Sequence, residues 1–281
     1  MVEYGWNRIR QHTVRDMETF DQLEFFSTNK KPAPASVTWN LWHGCTKVSP
    51  GCLHCYVYRR DMMHGKDTTV VQKTSSFNLP VRKNRTGEFK GQYKYGPGSI
   101  FYTCFTSDFF HPDADIWRPE AWKMMRIRSD CRFYMITKRP QRILQCLPED
   151  WGEGYENVDI SCTCENQKMA DIRLPVFLEI PMRHRSIVHE PLLGPIDIRG
   201  FLDVYHSRID SVSVGGESGP EARICDYSWV LQIRQQCMEY KIPFHYHQTG
   251  AKLLKDGKLY DIPRKYHHSQ ARKAGIDIDQ Y

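Results

Sequence analysis

Seven short runs of β-branched, aromatic and aliphatic residues recur along the chain, most of them followed by a polar or helix-period stretch. They predict strands at Ser36–Asn40, Ser99–Phe105, Arg132–Thr137, Asn157–Thr163, Arg185–His189, Ile209–Val214 and Pro243–His247. Helical periodicity falls between them: Val57–Met63 after the first, Pro119–Ser129 after the second, Gln141–Cys146 after the third and Gln167–Arg173 after the fourth. Tyr227–Tyr240 follows the sixth and sets Trp229, Ile233 and Cys237 on one face. Strand alternating with helix argues for an α/β fold with a parallel sheet. Seven strands in 281 residues predict a complete or partial (β/α) barrel of mostly parallel strands.

Barrels of this kind work at the carboxyl ends of their strands, and every predicted end here carries polar groups. Cys45, Cys52 and Cys55 follow the first strand, and Thr106, Ser107 and Asp108 end the second. Thr137, Lys138 and Arg139 end the third, Thr163, Glu165 and Asn166 the fourth, and Glu190 the fifth. Gly215 to Ser218 end the sixth, and His245, His247 and Gln248 the seventh. Helix capping or a Gly-Gly turn accounts for any one of these ends. It accounts poorly for all of them together.

The first end is the most informative. WHGCTKVSPGCLHCY, from Trp42 to Tyr56, puts three cysteines in one short loop bent by Gly44, Pro50 and Gly51. Three thiolates so close need a cation to offset their repulsion. A four-iron cluster takes four cysteine ligands, so three leave one iron open. The competing reading is a tetrahedral zinc site completed by His43 or by the more awkwardly placed His54.

Composition narrows the setting. Hydrophobic residues make up 40% and charged residues 26%, which favours a packed core over disorder. No apolar run approaches a membrane span and no signal peptide is evident, so a cytoplasmic setting with ten reduced cysteines is expected. Net charge is +6, which permits a polyanionic partner. The layout reads as an N-terminal extension (1–35), a barrel (36–250) with an insertion at 64–98, and a C-terminal extension (251–281). The insertion carries Arg82, Lys83, Arg85 and Lys90 among Phe89, Tyr93 and Tyr95, a mixture suited to phosphate contacts and base stacking, or simply to a solvated surface. The tail from Arg264 to Lys273 is basic and reads as a surface helix.

Several segments together resemble a family: GCTKVSPGCLHCY, TSDFFHP, ITKRPQRI, HEPLLGPI, VGGESGPEAR and FHYHQTG. The cysteine loop followed by Tyr56 is similar to that of the radical S-adenosylmethionine superfamily. The full set is similar to its phage-associated, three-cysteine-motif branch, with a looser similarity to spore photoproduct lyase. The resemblance implies a partial (β/α) barrel of the radical S-adenosylmethionine type. Its cofactors would be a 4Fe-4S cluster on Cys45, Cys52 and Cys55 and S-adenosyl-L-methionine at the open iron. An external one-electron reductant would release a 5′-deoxyadenosyl radical. By the same resemblance Tyr56 would flank the adenine, Ser107 and Asp108 would face the cofactor's amine, Lys138 its carboxylate, and Ser161 or Thr163 its ribose or carboxylate. Glu190, Glu217 and His247 would serve cofactor, substrate or proton transfer. A base in nucleic acid, DNA above all, is the implied substrate, for instance a group already attached to a thymine.

The chain departs from the superfamily in three places. Six residues, TKVSPG, separate the first two cysteines where three are usual. Thr-Ser-Asp follows the second strand where many members have Gly-Gly-Glu. The closing motif has His247-Gln248 where the branch usually has Lys-Gln. Cys162 and Cys164 alternate with Ser161, Thr163 and Glu165, so period two sends the thiols toward the helices and the hydroxyls inward. Cys104 remains a candidate hydrogen donor, and the tryptophans read mainly as core. Two alternatives stand beside the radical enzyme on nucleic acid: a zinc-binding, non-catalytic nucleic-acid module, and a radical enzyme acting on a peptide or small metabolite.

Overall fold

Strand β1 (Ser36–Trp39) buries Trp39 completely, and the chain then turns into the short β2 (Trp42–His43). The cysteine loop and helix α1 (Tyr56–Met63) come next, and β3 (Gln72–Lys73) returns to pair antiparallel with β2. The alternation follows: β4 (Ile100–Thr103), α2 (Arg118–Ile127), β5 (Arg132–Thr137), α3 (Ile143–Cys146), β6 (Val158–Thr163), α4 (Gln167–Glu179), β7 (His184–His189), α5 (Arg199–Tyr205) and β8 (Ser211–Gly215). The chain closes with β9 (Cys225–Asp226), α6 (Tyr227–Glu239), β10 (Phe244–Gln248), β11 (Lys252–Lys255), β12 (Lys258–Asp261) and α7 (His267–Lys273). These elements come from a computed structural model that describes residues 35–89 and 96–279, all within one compact unit, Pro34–Tyr281. The expected N-terminal extension and Lys90 lie outside the described residues.

Seven strands form one sheet in the order β1-β4-β5-β6-β7-β8-β10, every pairing parallel, curled into a half-barrel. In-register parallel pairing puts partners on the same face. One face carries Phe101, Phe133, Met135, Ile160, Cys162, Ile187, Val212 and Phe244, all fully buried. Phe101 stacks on Phe133 at 5.1 Å, with Trp39 edge-on to Phe133 at 5.4 Å. Burial on this scale contributes about 1.5–3 kcal/mol per large side chain, so this face holds the fold together.

The other face, the inside of the curl, is polar. Its rungs are Tyr102–Tyr134–Asp159–His184, then Ile136–Ser161–Ser186–Ser211, then Thr163–Val188–Ser213–His245. Closed barrels of this class fill that space with bulky branched side chains. Hydroxyls and imidazoles in their place suit a polar ligand.

The predicted strands stand where the periodicity puts them, with ends shifted by one or two residues. Helix α4 runs past the expected stop at Arg173 and through Pro175, because Leu174, Phe177 and Leu178 are fully buried and keep that face on the core. Helix α5 and the small sheet β12-β11-β9 were not expected. The tail beyond residue 250 packs on the barrel rather than extending from it. Phe244 and Ile278 exchange backbone hydrogen bonds at 2.9 and 2.8 Å, covering the edge of β10, and α7 buries His267 and Ala271. Among the described residues no helix is long and apolar enough to cross a membrane.

Candidate functional site

The cysteine loop is held from several sides. Gly44 has φ +101°, and a Cβ there would run into the Val70 carbonyl, so the chain leaves β2 in a shape only glycine takes easily. Cys45 N donates to Thr68 O at 2.7 Å. At the loop's centre Gly51 N donates to Glu165 Oε1 at 2.9 Å, close enough that an added Cβ would sit 2.9 Å from the Glu165 carboxyl carbon. The other oxygen of Glu165 pairs with Arg173 at 2.7 Å, both side chains buried. Burial opposes the charge of Glu165, but Arg173, Ser49 and the Gly51 N–H hold its pKa below the ordinary carboxylate value. From the sixth strand's end Arg223 Nη2 donates to Pro50 O at 3.0 Å while pairing with Glu217 at 2.6 Å, and Arg59 of α1 donates to Ser218 O at 3.3 Å.

The three loop thiols are half-buried, whereas the other seven cysteines are buried. Among the described residues the His, Cys, Asp and Glu ligand atoms gathered in threes within 4.8 Å are those of Asp159, His184 and Asp210, at the opposite end of the strands. The three loop sulfurs are not gathered that closely, whereas bonds of 2.3 Å to one zinc would set them about 3.8 Å apart. Both histidines that might complete a zinc site face carboxylates: His43 Nε2 lies 2.8 Å from Asp61 and His54 Nδ1 lies 3.4 Å from Glu221. With both histidines so engaged, the donors the loop itself offers are three thiols, the number a four-iron cluster with one open iron would use.

One thiol has a cationic neighbour. Arg139 Nη1 donates to Cys45 Sγ at 3.6 Å, and Nη2 donates to Thr46 O and Oγ1 at 2.8 and 2.9 Å. Burial pushes the Cys45 thiol up to about 11 and Arg139 pulls it back only in part, so metal binding would have to expel its proton.

Asp108 fixes Arg139 at 3.3 Å and also accepts from Thr137 Oγ1 (2.8 Å), Lys138 N (3.0 Å) and Phe110 N (2.9 Å). With both oxygens so occupied and 5% exposure, Asp108 has no acceptor left for a cofactor amine; it ties strand ends together instead.

The remaining expected site residues divide. Tyr56 OH donates to Phe105 O and Ser107 Oγ to Gly44 O, so both brace the mouth. Lys138, half-buried, makes no hydrogen bond or ion pair through its ammonium with described residues. Ser161 Oγ bonds Tyr134 OH at 3.1 Å, while the buried Thr163 Oγ1 has no partner. Glu217, committed to Arg223, supports the loop rather than a ligand. Cys104 has φ +61° and is buried in the aromatic core, its sulfur served by the Leu41 and Trp42 backbone, which removes it from any substrate.

Glu190 and His247 meet at the far side of the mouth. His247 Nδ1 lies 2.7 Å from Glu190 Oε2, and Gln248 donates to Glu190 Oε1. Burial opposes both charges, yet the pair wins: Glu190 is held below its ordinary pKa and His247 above its own. His268 of α7 packs against the His247 ring at 4.7 Å with Nδ1 2.9 Å from His247 O, and the sequence alone gave no sign of this contact.

The basic insertion goes elsewhere. Arg82 is spent on Ser75 O and Asn78, and Lys83 lies over Phe89 at 5.7 Å. Phe89 also meets Arg128, which follows α2 and bonds Pro80 O at 2.7 Å. Lys83 therefore stands near the strands' amino ends, away from the cysteine loop, while Arg82 reaches back to Ser75. Arg139 and Glu165 were legible as strand-end residues but not as braces; Arg173 and Arg223 gave no signal.

A family model described as “Protein of unknown function (DUF5131)” matches residues 33–279. No curated protein and no solved structure matches the chain.

Proposed function

We propose for this chain, which belongs to the DUF5131 family, the role of a radical S-adenosylmethionine enzyme that modifies a base in nucleic acid, DNA being the expected substrate. The observation that carries the reading is the loop itself: three half-buried thiols at the carboxyl mouth of a parallel half-barrel, with both nearby histidines engaged by carboxylates. When bound, a 4Fe-4S cluster with S-adenosyl-L-methionine supplies a carbon-centred radical able to remove a substrate hydrogen.

The protein's own residues do the rest. Cys45, Cys52 and Cys55 would hold the cluster, and Arg139 donates to the first of them. Lys138 offers a cation for a carboxylate, and the unpartnered Thr163 hydroxyl offers a hydrogen bond beneath the loop. The hydroxyl-lined inner face would orient a polar substrate, and His247, charged against Glu190, can hold or release a proton at Nε2. An external one-electron reductant is required.

Anaerobic reconstitution followed by iron and sulfide analysis tests the cluster, and an absorption or EPR change on adding S-adenosyl-L-methionine tests the nucleotide. Expected is iron-sulfur loading that replacement of any loop cysteine by Ala abolishes. Stoichiometric zinc without iron or sulfide would overturn the reading.

A further inference from the structure

We infer that a cleft behind the cysteine loop, lined by Asn40, His43, Arg60, Lys66, Lys73 and Thr106 among others, is the groove that receives the sugar-phosphate strand of a nucleic acid. The inference rests on the nucleic-acid reading above and moves the contact surface away from Lys83 and Arg85.

The cleft encloses about 570 Å³, room for a short stretch of backbone rather than a single small ion. Its charges are lopsided. Arg60 and Lys66 are exposed, and their charged ends form no hydrogen bond or ion pair with described residues. Lys73 reaches Glu120 only at 3.4 Å and lies over the Phe77 ring at 3.6 Å. The lining carboxylate is Asp67, exposed, with Thr69 N and Oγ1 both donating to its Oδ1 at 2.8 and 2.7 Å. Thr106 contributes a buried hydroxyl with no partner. Three cations against one lining carboxylate, with neutral donors beside them, make a surface for phosphate oxygens.

Position favours a polymer that also enters the half-barrel. The cleft shares a wall with the cysteine loop: Thr106 O accepts from Gly44 N at 3.2 Å, and Thr106 N donates to Asn40 Oδ1 at 3.0 Å. A strand seated there lies beside Asn40 at the carboxyl end of β1, the first strand of the sheet, from which a turned-out base would reach toward the polar inner face. Of the rival strip, Arg82 is spent on the backbone of Ser75, between the cleft-lining Thr74 and Ser76, while Lys83 lies over Phe89 beside Arg128 at the end of α2.

The test is fluorescence anisotropy of the reconstituted holoprotein with a labelled single-stranded DNA oligonucleotide across a salt series. Three phosphate contacts contribute a slope of about 2 in log affinity against log salt, roughly a hundredfold in affinity at 0.1 M salt. Arg60→Ala with Lys66→Ala and Lys73→Ala should lose that much slope and affinity, with an unchanged melting temperature. Lys66→Arg should bind like the parent. Lys83→Ala with Arg85→Ala should leave both quantities alone. An unchanged slope in the cleft variant, or an equal loss in the Lys83 and Arg85 variant, would overturn the assignment of the groove. A mononucleotide bound as tightly as the oligonucleotide would overturn the strand reading in favour of a small-ligand pocket. If the parent protein binds no oligonucleotide, the groove and the nucleic-acid substrate fall together, while cluster loading, measured separately, stands or falls by itself.

Discussion

Arg139 sets how much positive charge the first thiolate of the loop meets. Hydrogen bonds to ligand sulfur withdraw electron density and raise a cluster's reduction potential. Arg139→Gln should therefore make the reconstituted cluster harder to reduce, read by EPR-monitored redox titration, without reducing iron content. Arg139→Lys keeps the charge but loses the fork shared among Cys45, Thr46 and Asp108, and should fall between the two. An unchanged potential in both variants would show that the guanidinium only props up the loop. His247 and Glu190 make a second prediction at this scale. The raised His247 stabilises the fold fully below its ordinary value of 6.5, and that contribution fades as pH rises through the higher folded value. The lowered Glu190 contributes above its ordinary 4.5, and that contribution fades as pH falls through the lower folded value. The pair is thus at full strength between about 4.5 and 6.5. Melting temperature against pH should show His247→Gln most destabilised in that window and converging on the parent at alkaline pH.

At the scale of elements, the cysteine loop depends on α4. Glu165, at the end of β6, and Arg173, on α4, form a buried pair that also grips Gly51. Removing one partner strands the other's charge in the core, so Glu165→Ala should cost about 3–5 kcal/mol in urea unfolding. Glu165→Gln keeps an acceptor for Gly51 and should cost less. The sequence disclosed the seven strands and most of their helices because an apolar outer face and polar ends leave a period-two signature. It disclosed the cysteine loop because three thiols in so short a span have few other uses. It did not disclose the braces, because a salt bridge between β6 and α4, or from Arg223 to Pro50, joins residues whose nearness depends on tertiary packing. Asp108 misled for the same reason: its place at a strand end was visible, but the four donors that saturate it were not. Helix α5 and the β9-β11-β12 sheet carried too short a pattern to stand out.

At the scale of the whole molecule, a half-barrel has two outer strands, β1 and β10, and the chain covers β10 with its own tail. Phe244 pairs with Ile278, and Tyr246 N donates to Asp277 at 2.7 Å. Unpaired edges recruit other strands. A chain ending after Tyr266 should therefore keep its sheet but associate in solution, which light scattering would detect; a monodisperse monomer would show that α7 and the last residues are dispensable as a cover.

The division of the cysteines, three half-buried and seven sealed in the core, has a practical consequence. Air and peroxide attack thiols they can reach, so damage during handling should begin at the loop and leave the fold standing. An aerobically purified batch would then look healthy by circular dichroism while having lost the residues that matter. Iodoacetamide counts them directly: three alkylations on intact apoprotein, ten after denaturation, and few or none on protein whose loop is already oxidised or occupied.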